Sequence, residues 1–161
     1  MSIATALQAG DTLVHLVGTA HPSPAKAADF EAVDLASIRA AVEAASRVAI
    51  AHLVYVSVAQ PAPVMRAYVA ARAAGEAAIA GSGVRATILR PWYVVGPGHR
   101  WPLMLTPLYA LAARVPHWRP ATQRLGLVSL EQMTWALVRA VEEPPASALA
   151  IVEVPGIRAP G

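Results

Sequence analysis

An α/β fold built on a parallel sheet is what this sequence predicts, and three observations predict it. Short runs rich in Val, Leu and Ile recur along the chain without polar alternation, the pattern of strands buried on both faces. Between them lie segments of helical length whose apolar residues repeat every three or four positions. The 161 residues are 56% hydrophobic and only 14% charged, a composition that folds, and long enough for one domain with a core.

Residues 2–9 read as the last turns of a helix stopped by Gly10. Residues 12–18, TLVHLVG, form the first buried strand, and 19–28, with Pro22 and Pro24, a loop. The spacing of Leu35, Ile38, Val42 and Ala45 predicts a helix over 34–51, with Asp34 or Ser37 able to cap it. HLVYVSV, 52–58, is the second strand, followed by the Pro-containing loop AQPAP. An Ala-rich helix over 64–80 ends at Gly81-Ser82-Gly83, and VRATIL, 84–89, is the third strand. Residues 101–115 read as helical around Pro107, and 125–128 as a short strand. Ser129 caps a helix over 131–142, with Met133, Leu137, Val138 and Val141 on its apolar face and Pro144-Pro145 as its stop. ALAIVEV, 148–154, is the last strand. No internal repeat or linker divides the chain, so a single domain over 1–161 is expected.

Composition excludes several functions. The net charge of +3 comes from 13 basic and 10 acidic residues, Lys26 is the one lysine, and the arginines are spread from Arg39 to Arg158 without a run. Nucleic acid is therefore not an expected partner. There is no cysteine, which removes disulfides, thiolate nucleophiles and Cys-based zinc sites. The five histidines show no metal-ligand spacing, and neither a G-x-S-x-G elbow nor a G-x-x-x-x-G-K-[ST] loop is present. The N-terminal residues lack the charged region of a signal peptide, and a cytoplasmic location is expected. Residues 103–115 are flanked by Trp101 and Trp118 in the manner of an interfacial belt, but the run is shorter than the ~20 residues of a spanning helix, and Pro107 interrupts it. A mean hydropathy of +0.46 points to surfaces covered by a partner.

Three groups of residues carry candidate chemistry. Tyr68 and Arg72 stand at i and i+4 and so share one helix face. A tyrosine with a pKa near 10 is a poor base at neutrality, and a cation one turn away stabilises its phenolate. The alternative is that Arg72 pairs with Glu76, itself at i+4, on a solvated face. Ser57 sits at the carboxyl end of a strand, where parallel sheets bind ligands; the alternative is a serine that satisfies a strand-end backbone group. Arg90-Pro91 ends the third strand and leads through Trp92, Tyr93, Val94 and Val95 into Gly96-Pro97-Gly98, where glycines permit a sharp turn. His99, after this loop, is a further candidate for substrate contact.

The order of these motifs, YVAAR on a helix, then a strand, then RPWYVVGPG, resembles the cofactor domain of atypical and extended short-chain dehydrogenase/reductases, the NAD-dependent epimerase/dehydratase kind. The resemblance implies a partial doubly wound, Rossmann-like parallel sheet, its later half, with helices on both faces and substrate-side elements from about residue 99. It implies Tyr68 as acid/base, Arg72 in place of the family's lysine as the charge that tunes it, and Ser57 as a hydroxyl donor, although the position aligned with the family's catalytic serine is Val58. Gly18, Thr19, Ser57, Tyr68, Arg72, Pro91, Tyr93 and Val94 would touch the cofactor, NAD or NADP. The family's G-x-x-G-x-x-G phosphate loop does not occur in this sequence, so cofactor affinity is expected to be weak or lost, and the chain to be a truncated relative. The first strand would then be an exposed edge that a homodimer or another partner covers. Two functions follow from the resemblance: an oxidoreductase or sugar-nucleotide epimerase working by hydride transfer on an unknown small substrate, or a catalytically silent nucleotide-binding or interaction module.

Overall fold

The computed structural model describes residues 3–62, 64–97 and 124–159. Four parallel strands make the main sheet in the order β1 (Thr12–His15), β2 (His52–Val56), β3 (Ala86–Arg90), β6 (Leu149–Glu153). A small parallel pair joins β4 (Tyr93–Val95) to β5 (Leu127–Ser129). The helices are α1 (Ile3–Ala6), α2 (Ala27–Asp29), α3 (Ala36–Val48), α4 (Arg66–Ser82), α5 (Leu130–Glu142) and α6 (Val154–Arg158).

The predicted α/β class and its two helical layers are what the structure contains. Leu53, Tyr55, Ala86 and Ile88 point to one face of the sheet and pack against Ile38, Ala41, Val42 and Ala45 of α3 and Ile79 of α4. Val54 and Leu89 point to the other face and pack against Met133, Ala136 and Ala140 of α5 and Val154 and Ile157 of α6. β2 and β3 are therefore covered on both sides, which is why their sequences are continuous apolar runs. Gly75 lets α4 approach this closely: a Cβ there would lie 2.9 Å from both Ile38 and the Tyr55 hydroxyl.

Local signals fix the element ends. Ser129 caps α5 in a reciprocal box with Gln132: the Gln132 N–H donates to Ser129 Oγ at 3.0 Å, and the Ser129 N–H to Gln132 Oε1 at 2.9 Å. β3 stops at Arg90 because Pro91 has no N–H to continue the ladder. α4 runs to Ser82 and ends at Gly83 in the left-handed region, φ 74°.

Two boundaries differ from expectation. Helical structure begins at Pro24, inside the expected loop, and passes through a π-helical stretch, Phe30–Leu35, into α3. Phe30 anchors the early turns; it is fully buried with its ring 5.1 Å from that of Tyr68. Asp34 is therefore interior to a helix and caps nothing. β1 ends at His15, not Gly18, because the chain leaves the sheet there and exposes Leu16 and Val17. Among the described residues β1 is an edge of the sheet, and Val14 is also exposed. The expected helix over 101–115, and His99, lie outside the described residues. No described helix is long and apolar enough to cross a membrane.

Candidate functional site

Every strand of the main sheet runs the same way, so the segments that follow β1, β2 and β3 emerge at one end. Gly18 and Thr19 follow β1, Ser57 follows β2, and Pro91 follows β3. The first turns of α4 bring Tyr68 and Arg72 to the same end, since Arg72 reaches the carbonyls of Val17 and Val56. The candidate residues of the strand ends and of α4 therefore lie at the same end of the sheet. What they do there differs from the sequence expectation.

Arg72 is buried, its side chain only 7% exposed, and it makes an ion pair of 2.6 Å with the fully buried Asp34. One terminal nitrogen also donates to Val56 O at 3.1 Å, and at 3.4 Å to Val17 O and the Tyr55 hydroxyl. The guanidinium carbon lies 5.7 Å from the Tyr55 ring centre and 5.2 Å from that of Tyr68. The Arg72–Glu76 pairing on a solvated face is not made. Asp34 accepts in addition from Thr19, at 3.0 Å from its N–H and 2.5 Å from its hydroxyl. Gly18 leaves room for this arrangement, because a Cβ there would force the Arg72 guanidinium to shift off Asp34.

The electrostatics follow from this packing. Burial works against the Arg72 charge, but Tyr68, Tyr55 and Asp34 outweigh it and hold the guanidinium above its ordinary pKa. Burial pushes the Tyr55 phenol up despite Arg72 beside it. His15, stacked 5.6 Å from Tyr55, is held below its ordinary value by burial and then by the Arg72 charge.

A second network lies on the next turn of α4. Ser57 Oγ donates to Glu76 Oε1 at 2.5 Å, so it engages a carboxylate and not a strand-end backbone group. Gln60 Nε2 donates to the same oxygen at 2.7 Å. Arg90 binds both Glu76 oxygens, at 3.0 and 2.5 Å, and also Glu153 of β6 at 2.8 Å. These bonds, led by the one to Glu76, hold Arg90 above its ordinary pKa. Val58, aligned with the family serine, is a buried apolar residue.

The remaining candidates follow β3 in the chain. Pro91 is buried, and its carbonyl accepts from the Ala59 N–H at 2.8 Å. Tyr93 and Val94 form a strand where a loop wall was expected: β4 pairs with β5, Val94 packs on the α5 side, and the Tyr93 ring lies 5.2 Å from that of Trp92. The sequence reading gave Asp34 only a capping role and did not name Tyr55 or Glu153. Asp34 had a signal: it falls in helical register with Ile38, Ala41 and Ala45, an acid on the buried stripe. Among the described residues no three acidic or histidine side chains are grouped to hold a metal.

No protein-family model matches the sequence, and no curated protein does either. Solved structures do. UDP-glucuronic acid 4-epimerase from Bacillus cereus, in complex with NAD, superposes with a TM-score of 0.68 at 15% identity, over 94% of this chain and 55% of that one. MoeE5, in complex with UDP-glucose and NAD, gives 0.70 at 16%, over 94% and 58%. The shared fold is Rossmann-like, a parallel sheet with helices. A short-chain dehydrogenase/reductase superfamily protein from Agrobacterium tumefaciens with bound NAD gives 0.64 at 13%, over 91% and 60%. The chain thus spans little more than half the length of the short-chain dehydrogenase-type structures it matches.

Arg72 thus faces inward onto Asp34 and two carbonyls, with its guanidinium carbon beside the Tyr68 ring. The Ser57 hydroxyl is likewise engaged by Glu76.

Proposed function

We propose that this chain is a nicotinamide-dinucleotide-binding module of the short-chain dehydrogenase lineage that binds without transferring hydride. The observation that carries this reading is the buried Arg72–Asp34 ion pair. It balances the guanidinium beside Tyr68 with a carboxylate and ties residue 72 to the strand-end loops. Binding is supported by the fold, by the NAD seen in the superposed structures, and by the position of Gly18 and Tyr68, each with exposed surface at the carboxyl ends of the strands. The same reading makes the protein cytoplasmic, with the β1 edge covered by a partner or a second copy.

Calorimetric titration with NADH and NADPH tests the binding half. The expected affinity is weak, in the millimolar range or about −4 kcal/mol, since Arg72 and Ser57 have no donors turned outward. Following NADH oxidation at 340 nm with carbonyl substrates tests the silent half, and no turnover is expected. Turnover that disappears in Tyr68→Phe would overturn the silent reading; absence of any heat at 10-fold the expected dissociation constant would overturn the binding reading.

A further inference from the structure

The flank of α4 turned away from Arg72 borders an open cavity of about 500 Å³, within the size range of small-molecule sites. Val69, Ala70 and Ala73 form an apolar wall from α4, and Pro61 and Ala62 face it from the loop after β2. Three polar residues, Gln60, Arg66 and Arg90, complete the lining.

The charge in this cavity is not balanced. Arg90 uses three of its five N–H groups on Glu76 and Glu153, which leaves two without partners among the described residues. Arg66 is exposed and makes no ion pair among them. Arg124 donates from Nε to the Pro61 carbonyl at 3.3 Å, bringing a third guanidinium to the same loop. The cavity lining itself carries two guanidiniums, of Arg66 and Arg90, and no carboxylate. The first turn of α4 adds to this: it has no side-chain cap and no acidic residue, so its N–H groups present positive potential beside Arg66.

We propose that this cavity binds an organic anion with an apolar body. The anionic head lies between Arg66 and the unused N–H groups of Arg90, and the body lies against Val69, Ala70 and Ala73. The site lies on the neighbouring flank of α4 and shares Gln60 and Arg90 with the Glu76 network.

The test uses 1-anilinonaphthalene-8-sulfonate, an anionic aromatic probe, followed by fluorescence on the folded chain. The expected result is saturable enhancement that decanoate reverses and decanol reverses at least about 10-fold less well, because the alcohol lacks the charge. Arg66→Gln should weaken decanoate about 5-fold or more, and Ala70→Trp, which fills the cavity, should abolish displaceable binding. Circular-dichroism melting of both variants separates a lost site from a lost fold, and Arg66, being exposed, keeps the test available if Ala70→Trp misfolds. Failure to saturate, equal displacement by decanol, or unchanged affinity in a folded Arg66→Gln would each overturn the proposal.

Discussion

Replacing Asp34 with Asn isolates the charge of the buried pair. An amide oxygen at position 34 still accepts from the Thr19 N–H and hydroxyl, now at 3.0 and 2.5 Å, so the tether between the helix and the loop after β1 survives. What disappears is the negative charge 2.6 Å from a guanidinium whose side chain is 7% exposed. Removing one member of such a pair leaves the other desolvated and unpaired, which costs about 3–5 kcal/mol. For a domain of this length each kcal/mol lowers Tm by roughly 2–4 °C, so Asp34→Asn should melt about 6–20 °C below the parent. Arg72→Met should fall comparably, because it strands Asp34. The Asp34→Asn/Arg72→Met double variant should recover part of the loss, giving a coupling energy of about 2 kcal/mol or more in a double-mutant cycle. Calorimetric melts of the four proteins provide the measurement. A Tm for Asp34→Asn within about 2 °C of the parent, or strict additivity in the double variant, would refute the claim that this pair is buried and mutually dependent.

Other outcomes follow from single features. Gly18→Ala should lower Tm, because its Cβ collides with the Arg72 guanidinium, and the same substitution should cost less when it is made in the Arg72→Met background. Ser129→Ala removes one arm of the α5 capping box and should cost about 1 kcal/mol in a urea titration. Ala49 ends α3 at φ 57°, so Ala49→Gly should raise stability, by up to about 1 kcal/mol. His15 and His52 both have folded-state pKa values lowered by burial from the ordinary 6.5, so the unfolded chain binds more protons in acid. The stability they contribute is present above about pH 6.5 and is lost as the pH falls through the lower folded-state values. Urea midpoints at pH 7.5 and 5.5 should differ in that direction, and less so in His52→Gln.

The fold was legible where local and tertiary signals agree. The apolar runs at β2 and β3, the Pro after Arg90 and the Ser129 box act over a few residues and set their elements directly. The 24–35 region was not legible. Ala27, Ala28 and Ala32 leave no apolar stripe to read, and what holds these turns is Phe30 against Tyr68, a contact between residues 38 positions apart in the chain. The site was half legible for the same reason. Spacing placed Tyr68 and Arg72 on one face of α4, and strand ends placed Gly18, Ser57 and Pro91 at one end of the sheet. Spacing cannot tell which carboxylate a guanidinium chooses. That choice depends on how far each candidate is desolvated, and Asp34 becomes fully buried only once α3 has packed on the sheet.

The choice made by Arg72 also explains that of Glu76. On an isolated helix the two would attract at i,i+4 for about 0.3–0.5 kcal/mol, screened by solvent. In the folded chain each is buried, and each meets an opposite charge from another element: Arg72 meets Asp34 ahead of α3, and Glu76 meets Arg90 at the end of β3. The two pairs attach successive turns of α4 to different parts of the sheet, Arg72 to the loops after β1 and β2, Glu76 to Ser57 and to β3. Sliding α4 by one turn would carry both residues away from their partners together and leave Arg72, Asp34 and Glu76 buried and uncompensated, while Arg90 keeps Glu153, each broken pair costing several kcal/mol. Gly75 adds a steric preference, because a slide of one turn would bring Ala71 or Ile79 to a point where a Cβ lies 2.9 Å from both Ile38 and the Tyr55 hydroxyl. The buried pairs and the close approach at Gly75 therefore set the register of the helix together, and Arg72 divides its contacts between Asp34 and the ring of Tyr68, 5.2 Å from its guanidinium carbon.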